Sequence, residues 1–210
     1  MPKIDEIYKA VENGKSKIIT GLVEEAIAEG VEPLRILNEG MVDAMARVGE
    51  KFQKSEIFVP EMLVAAKAMK TGVEVLRPLL GKAEVASHGK CIIGTVHGDL
   101  HDIGKNLVSL MIESSGFEVI DLGVDVSQEI FVNAIKENPD VRIVGLSCLL
   151  TTTMHALKET AIAIKSSGLG GFKLIVGGAP VTQEFANQIG ADGFSPDAAG
   201  AAVLAKQLVA

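Results

Sequence analysis

The 210-residue chain predicts two architectures in series, a four-helix bundle over 1–85 followed by a five-stranded parallel α/β sheet over 86–210. Three observations predict this. Residues 1–80 repeat apolar positions at helical spacing, are rich in Ala, Leu, Glu and Lys, and nowhere alternate like a strand. The stretch 81–89 turns small and polar, which marks a boundary and a hinge. Beyond it, short β-branched runs alternate with helical stretches, as parallel strands joined by helical crossovers require.

The helices of the first half are expected over 4–12, 15–29, 32–54 and 60–80, broken at Asn13-Gly14, at Gly30 and across 55–59. Pro60 suits a first helical turn, where its missing N–H leaves no hydrogen bond unmade. Connections this short favour antiparallel neighbours, hence an up-down bundle. In the second half the strands are expected over 90–96, 117–122, 142–147, 173–176 and, more weakly, 192–194, with a helix from Ile103 to Ser115 after the first. Five strands with five helices match a flavodoxin-like, Rossmann-like wind of order 2-1-3-4-5. In that order the ligand crevice opens between the first and third strands.

Composition narrows the function classes. The formal net charge is −7, there is no tryptophan and there is one tyrosine, so neither a phosphate-tracking basic face nor a base-stacking platform is present, and nucleic acid is not expected as a partner. The two cysteines, Cys91 and Cys148, both lie in apolar runs, where free cysteine behaves as a small hydrophobe. Met1-Pro2-Lys3-Ile4 opens no apolar leader, and no run approaches the roughly 18 apolar residues of a membrane span. A cytoplasmic protein is expected.

The run Asp99-Leu100-His101-Asp102-Ile103-Gly104 carries the strongest chemical signal. It sets one histidine on a strand-to-helix loop, with a carboxylate two residues before it. A metal-ligating imidazole donates its second ring N–H to such a group, which fixes its tautomer. Taken alone, a loop histidine among aspartates is a solvated polar residue more often than a ligand. The crevice rule supplies a test, since the loops after the third and fourth strands should also carry ligand-binding residues. Ser147 runs into Thr151-Thr152-Thr153 after the third strand, and Gly177-Gly178 follows the fourth. His97 stands four residues before His101, but no third histidine or cysteine is near enough to make zinc the expectation.

These residues resemble those of the cobalamin-binding corrinoid proteins of methyltransferase systems. That family's Asp-x-His-x-x-Gly motif corresponds to Asp99, His101 and Gly104, its Ser-x-Leu to Ser147 and Leu149, and its glycine pair to Gly177 and Gly178. Its helical cap carries Gly-x-x-Phe and a Phe-x-Pro-like segment, here Gly49 to Phe52 and Phe58-Val59-Pro60. The resemblance implies a cobalamin or related cobamide as cofactor, with His101 as lower axial ligand of cobalt in place of the cofactor's own base. It implies that Asp99 accepts the other imidazole proton and that Thr153, where the family places a hydroxyl, extends the relay. Asp102, Ile103, Gly104, Ser147, Leu149, Thr151, Gly177 and Gly178 would line the cofactor slot, the buried nucleotide tail lying between the first and third strands. Phe52, Val59 and Met62 would cover the upper face of the corrin; as apolar residues at helical spacing, they equally suit plain bundle core.

The function so implied is a methyl-carrier subunit, not catalytic alone, shuttling between a substrate-specific methyltransferase and a second methyltransferase. Two rivals remain. A cobalamin-based sensor would share both halves but add a signalling module, for which the chain has no room. His101-Asp102 also resembles the signature of metal-dependent phosphohydrolases, but that fold is all helical and needs a further upstream histidine, and residues 1–87 contain none.

Overall fold

The computed structural model describes residues 2–80 and 88–210, the side chains of Pro2 and Gln53 excepted. The expected hinge at 81–89 lies, but for its last two residues, outside the described residues. The chain forms two compact units, a helical one built on 2–80 and an α/β one built on 88–113 and 117–210.

In the helical unit, α1 (Pro2–Glu12) and α2 (Ser16–Ala28) pack as neighbours. The third helix, α3, is composite: Pro33–Arg35, a π-helical run Ile36–Val42 and Asp43–Gln53 follow one another end to end. Periodicity predicts one uninterrupted helix there. The π segment departs from it because i→i+5 bonding widens the turn by one residue without altering which residues are apolar; Ile36, Leu37, Gly40 and Met41 all face inward. The fourth helix, α4 (Val59–Leu76), has Pro60 in its first turn, and the Glu61 carboxylate accepts the Phe58 N–H at 2.7 Å, half of a capping box. Ile7, Val11, Ile19, Val23, Met41, Met62 and Leu76 fill the core among these helices.

The α/β unit contains β1 (Lys90–Thr95), β2 (Glu118–Asp121), β3 (Val141–Ser147), β4 (Lys173–Gly177) and β5 (Gly193–Ser195), all parallel and ordered 2-1-3-4-5 as the sequence predicts. Its helices are α5 (Ile103–Glu113), α6 (Gln128–Glu137), α7 (Met154–Ser166), α8 (Gln183–Gln188) and α9 (Ala198–Val209). Right-handed crossovers put α5 with α9 on one face and α6 with α7 on the other, and those pairs touch. Strands covered on both faces read as continuous apolar runs, which is why β1 and β3 are buried almost throughout. Their C-terminal ends, where direction of wind reverses between β1 and β3, point the first and third loops at the same place.

Candidate functional site

The loop after β1 begins with a tight turn. The Asp99 N–H donates to the Val96 carbonyl at 3.1 Å, and Gly98 at the third position has φ +81°, the left-handed value that a type II turn reserves for glycine. The turn delivers Asp99 into the interior, where its side chain is wholly buried, and brings His101 to the surface with its side chain half exposed.

Asp99 is the hub of the site. Its Oδ1 accepts the His101 N–H at 3.1 Å and lies 2.7 Å from Nδ1 of the His101 ring. Its Oδ2 accepts the Leu149 N–H at 2.8 Å, the Leu150 N–H at 3.2 Å and the Thr153 hydroxyl at 2.9 Å. Burial pushes this carboxyl upward, but the hydrogen bonds from Leu149, His101 and Thr153 outweigh it and hold the group well below the usual carboxylate range. A carboxylate so held is ionised and can only accept, so Nδ1 of His101 must carry the proton. In the neutral imidazole Nε2 is then the ring nitrogen with a free lone pair. One buried carboxylate thus joins the loops after β1 and β3 and orients a single imidazole donor.

The other expected residues fall around this hub. Ser147 ends β3, opposite Gly177 at the end of β4, and the Cys148 N–H donates to the Gly177 carbonyl at 3.1 Å. Gly178 is required: at φ +126° a Cβ there would lie 1.7 Å from the carbonyl oxygen of Cys148. Thr151 and Thr153 belong to a 3-10 turn, with Thr151 exposed and Thr153 buried. Asp102, Ile103 and Gly104 are exposed at the start of α5, and Asp102 pairs with the Asn106 amide at 3.1 Å. Leu100, Ile103, Leu149 and Leu150 are exposed apolar side chains on the same two loops. In the helical unit, Met62 is fully buried, Phe52 is half-buried, and Phe58 and Val59 are exposed at the start of α4.

Two features escape the sequence reading. Asp125 has a left-handed backbone at φ +54°; its Oδ1 accepts the Gly98 N–H at 2.7 Å and lies 2.7 Å from Nδ1 of His97. The Gly98 N–H, helped by His97 and opposed by burial, holds the Asp125 carboxyl below its usual value. Lys105 of α5 is buried and pairs with Asp121 at the end of β2 and with the Asn106 side chain at 2.7 Å. Asp tolerates left-handed backbone, but nothing in its neighbours flags that use; a lysine two positions into an amphipathic helix reads as solvated.

The B12 binding domain family matches residues 89–203, and a further B12 binding domain family matches residues 3–77. This chain belongs to the B12-binding corrinoid proteins. A corrinoid protein of Desulfitobacterium hafniense is 38% identical over 213 aligned positions, covering 100% of this chain and 98% of the relative. Trimethylamine corrinoid protein 2 of Methanosarcina acetivorans is 44% identical, over 84% of this chain and 82% of its own length. The crystal structure of a methanol:cobalamin methyltransferase complex from Methanosarcina barkeri contains a chain that superposes with a TM-score of 0.87 at 28% identity, covering 99% of this chain and 80% of that one.

This corrinoid protein therefore binds a cobalamin or related cobamide, and the residues present suit one. Cobalt takes imidazole nitrogen, and Nε2 of His101 is a pre-oriented donor. Exposed leucine and isoleucine side chains flank it, as a large, partly apolar macrocycle requires. Among the described residues no group of three His, Cys, Asp or Glu side chains could hold a bare metal ion.

Proposed function

We propose that this corrinoid protein carries a methyl group between a substrate-specific methyltransferase and a second methyltransferase, with His101 as the lower axial ligand of cobalt. The observation that carries the axial assignment is the hydrogen-bonded path from the Thr153 hydroxyl through the Asp99 carboxylate to Nδ1 of His101. When bound, the corrinoid supplies the methyl-accepting and methyl-donating chemistry.

The chain's own residues bind, orient and protect. Asp99 Oδ1 would hold the proton on Nδ1 of His101 whether or not Nε2 held cobalt, so the ring would keep one tautomer. Thr153 and the Leu149 and Leu150 N–H groups keep Asp99 charged and fixed. Ser147, Leu149, Thr151, Gly177 and Gly178 line the slot for the nucleotide tail, and Asp102, Ile103 and Gly104 border it on the first loop. Phe52, Val59 and Met62 would be the apolar residues of the helical unit that shield the bound corrin from water. In this reading 1–85 form a cap and 86–210 the cofactor domain. The names of the relatives support it: one is a trimethylamine corrinoid protein and another belongs to a methanol:cobalamin methyltransferase complex. No helix among the described residues is long and apolar enough to cross a membrane, which suits a carrier working in the cytoplasm.

The carrier role is tested by loading the protein with hydroxocobalamin, reducing it and adding methanol or a methylamine with the corresponding purified methyltransferase. A change in corrinoid absorbance that needs both the donor and its methyltransferase is expected. Absence of any such change with every donor, together with light-dependent oligomerisation of the adenosylcobalamin form, would replace the carrier by the sensor.

A further inference from the structure

Asp125 grips the first loop from outside in two opposite senses. Its carboxylate accepts the Gly98 N–H at 2.7 Å, and its own N–H donates to the Asp99 carbonyl at 3.0 Å. Those two groups bracket the last peptide of the turn that carries Asp99 and His101. The segment around Asp125 is itself tied to β1: the Thr95 N–H donates to the Gly123 carbonyl and the Val126 N–H to the Thr95 carbonyl, each at 3.0 Å. Asp125 makes both contacts from a left-handed backbone, φ +54°, a conformation that costs a non-glycine residue free energy. His97 Nδ1 lies 2.7 Å from the same Oδ1 and so holds the carboxylate as well.

We propose that Asp125 is a positioning residue for the axial ligand: by clamping Gly98 and the Asp99 carbonyl it sets the direction in which the Asp99–His101 pair presents Nε2. This rests on the assignment of His101 as axial ligand. The clamp explains why aspartate occupies a position where glycine would be free of strain. It also makes the loop after β2 a part of the site, alongside the loops after β1, β3 and β4.

Asp125→Gly and Asp125→Asn separate this role from a merely structural one. Both residues accept left-handed backbone and both retain the N–H to Asp99, but only asparagine keeps an acceptor for Gly98. Each full-length variant is incubated with hydroxocobalamin, gel-filtered and examined by absorption, and the melting of each apo protein is recorded. Asp125→Gly is expected to fold, to bind hydroxocobalamin about tenfold more weakly or worse, and to show a reduced histidine-ligated component; Asp125→Asn is expected to restore both. His97→Ala, which keeps the Gly98 bond, is expected to lie between wild type and Asp125→Gly. A wild-type spectrum and affinity in Asp125→Gly, or equal damage in Asp125→Gly and Asp125→Asn, would overturn the clamp. A His101→Ala control with an unaltered spectrum would instead overturn the axial assignment on which it rests.

Discussion

A Cβ at Gly178 would lie 1.7 Å from the Cys148 carbonyl oxygen, whereas one at Gly104 would meet nothing within 4 Å. The first glycine is demanded by the fold and the second is not. Gly178→Ala is therefore expected to destabilise the apo protein by roughly 2 kcal/mol or more, since the strand-end backbone itself must move, and a denaturant melt reads this directly. Gly104→Ala, at the start of α5, is expected to leave apo stability unchanged or slightly raised, because alanine is the better helix former, while weakening retention of hydroxocobalamin. Equal retention by wild type and Gly104→Ala would remove Gly104 from the cofactor slot. Cys91 makes a different residue-scale case: burial pushes its thiol up to about 12. Its pKa is raised on folding, so the stability it contributes is complete below the unfolded value of about 8.5 and is lost as pH rises through the folded one. Cys91→Ala should accordingly flatten the alkaline arm of a stability–pH profile between those values.

At the scale of elements, the Lys105–Asp121 pair joins α5 to the end of β2 with unequal burial, the lysine side chain 2% and the aspartate 37% exposed. The two truncations should differ. Asp121→Ala leaves the buried ammonium with the side-chain amide oxygen of Asn106 as its remaining hydrogen-bond acceptor among the described residues, and is expected to cost ~3 kcal/mol. Lys105→Met leaves a partly solvated carboxylate that still accepts the Gly123 N–H, and is expected to cost roughly 1 kcal/mol. Equal losses in urea denaturation would mean that the pair is held together by packing alone. Such pairs mark the limit of what the sequence shows. The strands were legible because both faces of β1 and β3 are covered, leaving uninterrupted β-branched runs, and the strand ends pointed to the loops that meet at Asp99. The π segment in α3 was not legible, because its extra residue per turn leaves the apolar pattern intact. Neither Asp125 nor Lys105 was legible, because a left-handed aspartate and a buried lysine are defined by partners on distant elements, which no local spacing records.

At the scale of the whole molecule, the relatives match almost the full length of the chain, so both units belong to one functional plan. A ligand that binds only the folded state stabilises it by mass action, by ~2.7 kcal/mol at a hundredfold excess over Kd. Hydroxocobalamin should therefore raise the melting temperature of the α/β unit, and the same addition should do much less for a variant that cannot seat the corrinoid. The decisive contact is the proposed bond from His101 to the cofactor. It is tested most directly by the absorption spectrum of the protein after incubation with hydroxocobalamin and gel filtration, recorded beside His101→Ala. A retained corrinoid is expected, with the spectrum of a histidine-ligated form whose own base is displaced, and loss of that signature in the variant. Identical spectra from the two proteins would contradict it.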